Sequence, residues 1–188
     1  AEAELSGHKM EEVNITPELL KKHVKKTKNW TAPGPDQVHG YWLKQLSALH
    51  ERLAEQMNQF LQTGTLEDWL ATGRTTLLMK DQQRGATPSN YRPITCLPTT
   101  YKLMTRIIAS EMQNYLENHG LIPDEQKGNR RNTRGTKDQL LIDKMIMRNT
   151  KRRHTNLSVA WIDYKKAYDS VPHSWISTVL EMLGISSK

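Results

Sequence analysis

The chain has one cysteine, Cys96, which excludes an internal disulfide, and with seven scattered His it gives no zinc-ligand spacing. No apolar run approaches the ~18 residues of a membrane-spanning helix, so no membrane partner is expected. No succession of basic, apolar and small residues resembles a signal peptide. With a lone thiol, this fits an intracellular, reducing setting, cytoplasm or nucleus. Acidic charge is scarce in only one region. Residues 71–160 hold 16 Lys/Arg against 7 Asp/Glu, while residues 1–70 hold 8 against 10 and residues 161–188 hold 3 against 3. A polyanion suits such a basic centre, because neutralising phosphates releases counterions. A solvated basic surface is the alternative. The length of 188 residues suits one ordinary domain or part of a larger enzyme.

Residues 1–13 are polar and mixed in charge, a lead-in to the helix that Thr16-Pro17-Glu18 starts and that runs to about Lys28. Its Lys21, Lys22, Lys25, Lys26 and Lys28 suit either a solvated face or a nucleic-acid contact. Two prolines and a glycine make Thr31-Ala-Pro33-Gly34-Pro35-Asp36 a loop. Apolar residues from Trp42 to Leu61, three and four apart, predict one helix over 41–62 with a core stripe, and Gly64 ends it. Arg74–Lys80 reads as a strand, 81–89 as a hairpin tip, and 90–94 as the returning strand. Lys80 and Arg92 then flank the tip. Lys suits a point contact to phosphate and Arg a bidentate one, although such residues are commonly exposed and inert. Pro98 begins a helix to about His119, stopped by Gly120.

The segment 121–136 holds Arg130, Arg131 and Arg134 and too much Gly and Asn for a helix. Thr136 is expected to cap a helix over 137–150 with Leu140, Leu141 and Met145 inside. Amides at a helix start beside three Arg make a natural phosphate site. Lys151-Arg-Arg153-His154 makes a second basic turn. Leu157, Val159, Trp161 and Ile162 then read as a buried strand ending at Asp163, with a helix after Ser170 and Pro172. A carboxylate at a buried strand end is costly unless a donor or cation compensates it. On pattern alone Asp163 is either a local cap or part of a site.

Asp163-Tyr-Lys-Lys-Ala-Tyr168-Asp169-Ser-Val-Pro172 resembles the first palm motif of reverse transcriptases, in particular those of non-LTR (LINE-like) retrotransposons and the related group II intron enzymes. The loop 31–36 resembles their Ala-Pro-Gly-Pro-Asp segment, and Asn90-Tyr-Arg-Pro-Ile94 matches their fingers. Gln126-Lys-Gly128-Asn-Arg130 ahead of Thr136-Lys-Asp138-Gln-Leu140 resembles their Gln-x-Gly-x-Arg loop and Thr-x-Asp-Gln-Leu helix. Many relatives carry Phe or Cys where Asn129 stands. The resemblance spans residue 31 to about 185.

It implies an α+β fold, the fingers and partial palm of a right-hand polymerase, with helices packed on a small antiparallel sheet. Residues 1–30 would be a lead-in and helix, 31–156 the fingers and 157–188 the start of the palm. The implied activity is RNA-directed DNA polymerisation with an RNA template, a DNA primer, dNTPs and Mg2+. Asp163 would be catalytic and a metal ligand, with the Tyr164 carbonyl a second ligand. Tyr168 would be the gate against ribonucleotides, while Asp169 supports the turn. Lys80 and Arg92 would grip the triphosphate, and Arg130, Arg131 and Arg134 would lie along the template.

The family's second signature, an aromatic-x-Asp-Asp turn, occurs nowhere in this sequence, which has no Asp-Asp pair. Two-metal phosphoryl transfer needs several carboxylates. The chain alone is therefore expected to be catalytically incomplete, with the remaining palm and thumb as partners. A non-catalytic RNA-binding module and a decayed coding fragment are the alternatives.

Overall fold

Thr16 opens the first helix by accepting a hydrogen bond from the Leu19 amide at 3.2 Å, and Pro17 occupies the first turn of α1 (Pro17–Lys25). In this computed structural model residues 7–164 and 168–185 are described. The described residues form two units, one of residues 10–114 and one in which residues 7–9 join 115–164 and 168–185.

In the first unit, the expected helix over 41–62 is interrupted. It becomes α2 (Gly40–Gln45), a 3-10 turn and α3 (His50–Thr63), with Leu46 at φ −89°, ψ 57° between them. The buried His50 ring explains the break. Its Nε2 lies 2.7 Å from the Leu43 carbonyl, the acceptor that a continuous helix would offer to the Ser47 amide. Trp42, Leu46 and Leu49 consequently stay about half exposed, while Leu43 and Met57 are buried. Gly64 ends α3 at φ +67°, as expected.

A short α4 (Asp68–Ala71) leads to a hairpin of β1 (Arg74–Met79) and β2 (Tyr91–Cys96), paired antiparallel from Arg74 with Cys96 to Met79 with Tyr91. The ladder continues with the Lys80 amide donating to the Asn90 carbonyl at 2.7 Å. Alternation along the ladder then puts Pro93, opposite Leu77, in a pair that exchanges no backbone bond, so its missing N–H costs nothing inside the hairpin. α5 (Thr99–Asn118) follows, and Gly120 at φ +63° ends the run.

The class is thus α+β, but the core lies among helices. Leu20 and Val24 of α1, Leu43 of α2, Met57 of α3, and Leu103 and Ile107 of α5 belong to one buried cluster. β1 is exposed along its whole length. The 31–38 loop is bound to the start of α5: Thr99 Oγ1 donates to the Val38 carbonyl at 2.6 Å and Lys102 Nζ to the Ala32 carbonyl at 3.1 Å. A Cβ at buried Gly34 would collide with the Pro98 backbone, so this close approach requires glycine.

In the second unit Tyr115 is buried, and its hydroxyl lies 2.9 Å from the His8 carbonyl and 3.0 Å from the Leu183 carbonyl, with one proton to share. The helices α6 (Thr136–Arg153) and α7 (His173–Met182) belong to this unit. Four expectations are corrected here. Thr136 does not cap α6. Gly135 holds the cap position, and the Asp138 carboxylate accepts from the Arg134 amide at 2.9 Å in the manner of a capping box. Leu140, Leu141 and Met145 are exposed rather than inside, because no described surface covers α6. Lys151–Arg153 form the last turn of α6, closed by His154 at φ +49°, instead of a separate turn. Leu157–Ile162 is neither strand nor buried, since the one sheet among the described residues is β1–β2 and leaves this run without a ladder.

His23 is buried in the first unit, and its Nδ1 has no hydrogen-bond partner among the described residues. Burial pushes its pKa below 6.5, Lys26, Lys22 and Arg106 act in the same direction, and Glu111 opposes them. The unfolded chain therefore takes up the proton first. The stability His23 contributes is complete above the ordinary imidazole value and declines as pH falls below it. Thermal unfolding measured from pH 7 to pH 5 should show a falling midpoint. His23→Leu should flatten that decline, and an unchanged slope would remove His23 as its source.

Candidate nucleic-acid and nucleotide interface

Two clusters of candidate residues can be built from the chain, one in each unit. In the first unit, Leu78 pairs with Arg92 and the ladder places Lys80 beside Asn90. Cross-strand partners and residues two apart share a face, so Lys80 and Arg92 lie on the same side of the hairpin. Both are exposed. Lys80 Nζ donates to the Ser89 carbonyl at 2.9 Å, which holds the ammonium at the base of the tip.

Asn90 is the residue that sequence reasoning missed. It is buried, its Nδ2 donates to the Asp81 carbonyl at 2.6 Å and the Gly85 carbonyl at 2.8 Å, and its Oδ1 accepts from the Asp81 amide at 3.2 Å. One amide side chain thereby replaces the ladder that the tip cannot form. The available signal was an amide at the end of a polar tip, directly ahead of the Tyr-Arg-Pro run.

In the second unit the loop before α6 is built on its own polar groups. Asn129 and Asn132 adopt φ of +53° and +58°, a left-handed region that Asn tolerates and that is strained for Phe or Cys. This accounts for Asn at position 129. Thr133 Oγ1 lies 2.8 Å from the Lys127 carbonyl and 3.0 Å from that of Arg130, and Gln139 Nε2 donates to the Glu125 carbonyl at 2.9 Å. Arg130 donates to the Pro123 carbonyl at 2.8 Å and pairs with Asp124 at 3.3 Å, and it is only partly exposed. It braces the loop. Arg131 and Arg134 are exposed. From 127 to 154 there are ten Lys/Arg against Asp138 and Asp143, so one loop and one helix carry most of the chain's positive excess.

Asp163, Tyr164 and Tyr168 are exposed, with Tyr168 90% so, while residues 165–167 of the same motif lie outside the described residues. A carboxylate and a carbonyl are the hard oxygen donors that magnesium takes. Among the described residues, however, no group of three His, Cys, Asp or Glu could hold a metal ion. The donor chemistry fits and the donor number does not. No helix among the described residues is long and apolar enough to cross a membrane.

Residues 79–188, more than half of the chain, match the family profile for reverse transcriptase (RNA-dependent DNA polymerase). The chain belongs to the reverse transcriptase family. Over 117 residues, 62% of its length, it is 38% identical to the retrovirus-related Pol polyprotein from type-1 retrotransposable element R2 of Popillia japonica. It spans 16% of the length of that relative. The matched profile begins at the end of β1 and takes in Lys80, Arg92, the basic loop and the Asp163 motif. As a reverse transcriptase segment, the chain thus carries its charge concentration inside the matched region.

If the basic loop contacts phosphates, RNA affinity should fall with salt at a log-log slope near −0.9 per phosphate on duplex and about −0.7 on single strands. Replacing Arg130, Arg131 and Arg134 together by Ala should weaken binding and flatten that slope in a titration over salt concentration. A triple variant with the parent slope would exclude the loop.

Proposed function

We propose that this chain contributes the fingers, residues 31–156, and the start of the palm, residues 157–188, to the RNA-directed DNA polymerase of a non-LTR retroelement. Residues 1–30 form its lead-in and first helix. The complete enzyme extends a DNA primer 3′-hydroxyl with dNTPs along an RNA template. The observation that carries this reading is family membership through a match that includes the Asp163 motif, joined to the identity with a retrotransposon polyprotein.

The residues divide by task. Arg92 and Lys80, on one face of the hairpin, grip the triphosphate of the incoming nucleotide, and Asn90 keeps them at a fixed spacing. Arg131 and Arg134 lie on template phosphates, while Arg130 contributes by shaping the loop that presents them. Asp163 and the Tyr164 carbonyl supply part of a magnesium shell, the group that stabilises charge during phosphoryl transfer. Its other carboxylates belong to the remaining palm, in line with the 16% of the relative's length that this chain spans. Asp169 supports the turn.

Primer extension on an RNA template with magnesium or manganese should give no product with this chain alone. Extension that Asp163→Asn abolishes would overturn the claim that its catalytic set is incomplete.

Selectivity in the complete enzyme rests on Tyr168. A phenol ring beside the sugar occupies the space of a ribose 2′-hydroxyl and admits the hydrogen of a deoxyribose. The ring is 90% exposed, so truncating it removes little packing in this chain. Tyr168→Ala should raise the use of ribonucleotides relative to deoxynucleotides, read as the ratio of the two kcat/KM values. An unchanged ratio in a folded variant would remove Tyr168 from the site.

A further inference from the structure

The first helix carries positive charge that the proposed function leaves unused. Between residues 16 and 44 there are six Lys against Glu18 and Asp36. Lys22, Lys25, Lys26 and Lys28 are exposed at and just beyond the end of α1. Lysines alone would mark a solvated helix face. The residues that follow them are not those of a solvated face.

Trp30 is 66% exposed and Trp42 50%. Tyr41 stacks on Trp30 with centroids 5.0 Å apart and 14° between planes, and Trp42 meets Tyr41 edge-on at 5.3 Å. His39 approaches Trp30 at 59°, so it does not supply a second parallel ring. This cluster is fixed against the basic end of α1. The Tyr41 amide donates to the Asn29 carbonyl at 3.2 Å, and Gly40 sits where a Cβ would come within 2.5 Å of the Lys28 carbonyl. Two exposed tryptophans ordered through a half-buried tyrosine between them, and following a run of lysines in the chain, match the needs of an unpaired nucleic-acid strand. Every base has a face to stack and every linkage a charge to neutralise.

We infer that Trp30, Tyr41 and Trp42 form a stacking platform for unpaired bases, with the α1 lysines on the phosphates, so that this face binds single-stranded nucleic acid independently of the 121–135 loop. The inference goes beyond the proposed function, which gives no role to α1 or to these rings.

The test uses the whole chain with short oligo(U), oligo(dT) and a duplex of equal length, read by tryptophan fluorescence and by titration over salt. Single strands should quench the emission, and the quenching should shrink in Trp30→Phe. Trp30→Ala with Trp42→Ala should lower single-strand affinity about 10- to 100-fold, the scale of base–aromatic stacking. The salt slope should stay unchanged, because no cation is removed. Both side chains are half or more exposed, so the melting temperature should hold and serves as the check on folding. Binding of both oligonucleotides supports unpaired bases as the ligand, and binding of oligo(U) alone supports the platform with RNA as its source. Parent-like affinity in the folded double variant would overturn the platform, as would equal loss on duplex and single strand. The triple Arg variant of the loop should flatten the slope yet keep the Trp30-dependent quenching, so either reading can fail without the other.

Discussion

Burial of the α5 stripe is the constraint on which residues 10–114 depend. Leu103, Met104 and Ile107 enter the same buried cluster as Leu20, Val24 and Met57, so α1, α3 and α5 are held through one set of contacts. The apolar area removed from water there is the largest favourable term available to this unit. Its consequences reach the motifs. Because α5 is fixed, its first turn offers Thr99 and Lys102 to the carbonyls of the 31–38 loop. Pro33 and Gly34 are buried there. A segment that resembles a family signature is thus also a packing element, and Gly34 has a steric reason to be glycine.

The second unit is organised by hydrogen bonds more than by burial. Thr133, Gln126 and Gln139 bond backbone carbonyls within the loop or at its start, and Asp138 reaches back to the amide that precedes the helix. A loop so tied presents its cations with a smaller backbone ordering cost at the moment of binding. It also engages Arg130 in its own fold. Positive charge on this surface therefore divides between residues that make the shape and residues that the shape displays.

Much of this was legible in the sequence where the signal was local. Thr16-Pro17, Gly64 and Gly120 set helix ends because capping depends on a few adjacent residues. The hairpin followed from two extended runs around a polar tip. Reading failed where the outcome depended on a distant partner. The periodicity of 41–62 could not reveal that His50 takes the Leu43 carbonyl. Leu140, Leu141 and Met145 have helical spacing, but spacing records a capacity for burial and not the surface that would realise it. The same holds for Leu157–Ile162, where β-branched and aromatic residues that find no neighbouring strand among the described residues remain irregular and exposed. Among the site residues, the position of Lys80 and Arg92 either side of the tip was legible, whereas their shared face needed the observed register and the Asn90 clasp depended on bonds that no pattern encodes.

The position of Pro93 bears on how the hairpin meets other chains. A two-stranded sheet has an open edge on each side, and open edges recruit further strands. Pro93 lies in a pair that exchanges no backbone bond with β1, so the donor it lacks is missing from the outer edge of β2. A strand aligning along that edge would forfeit a ladder bond at the middle of the six-residue strand Tyr91–Cys96. Among the described residues the hairpin is therefore blunted along its β2 edge and open along its β1 edge.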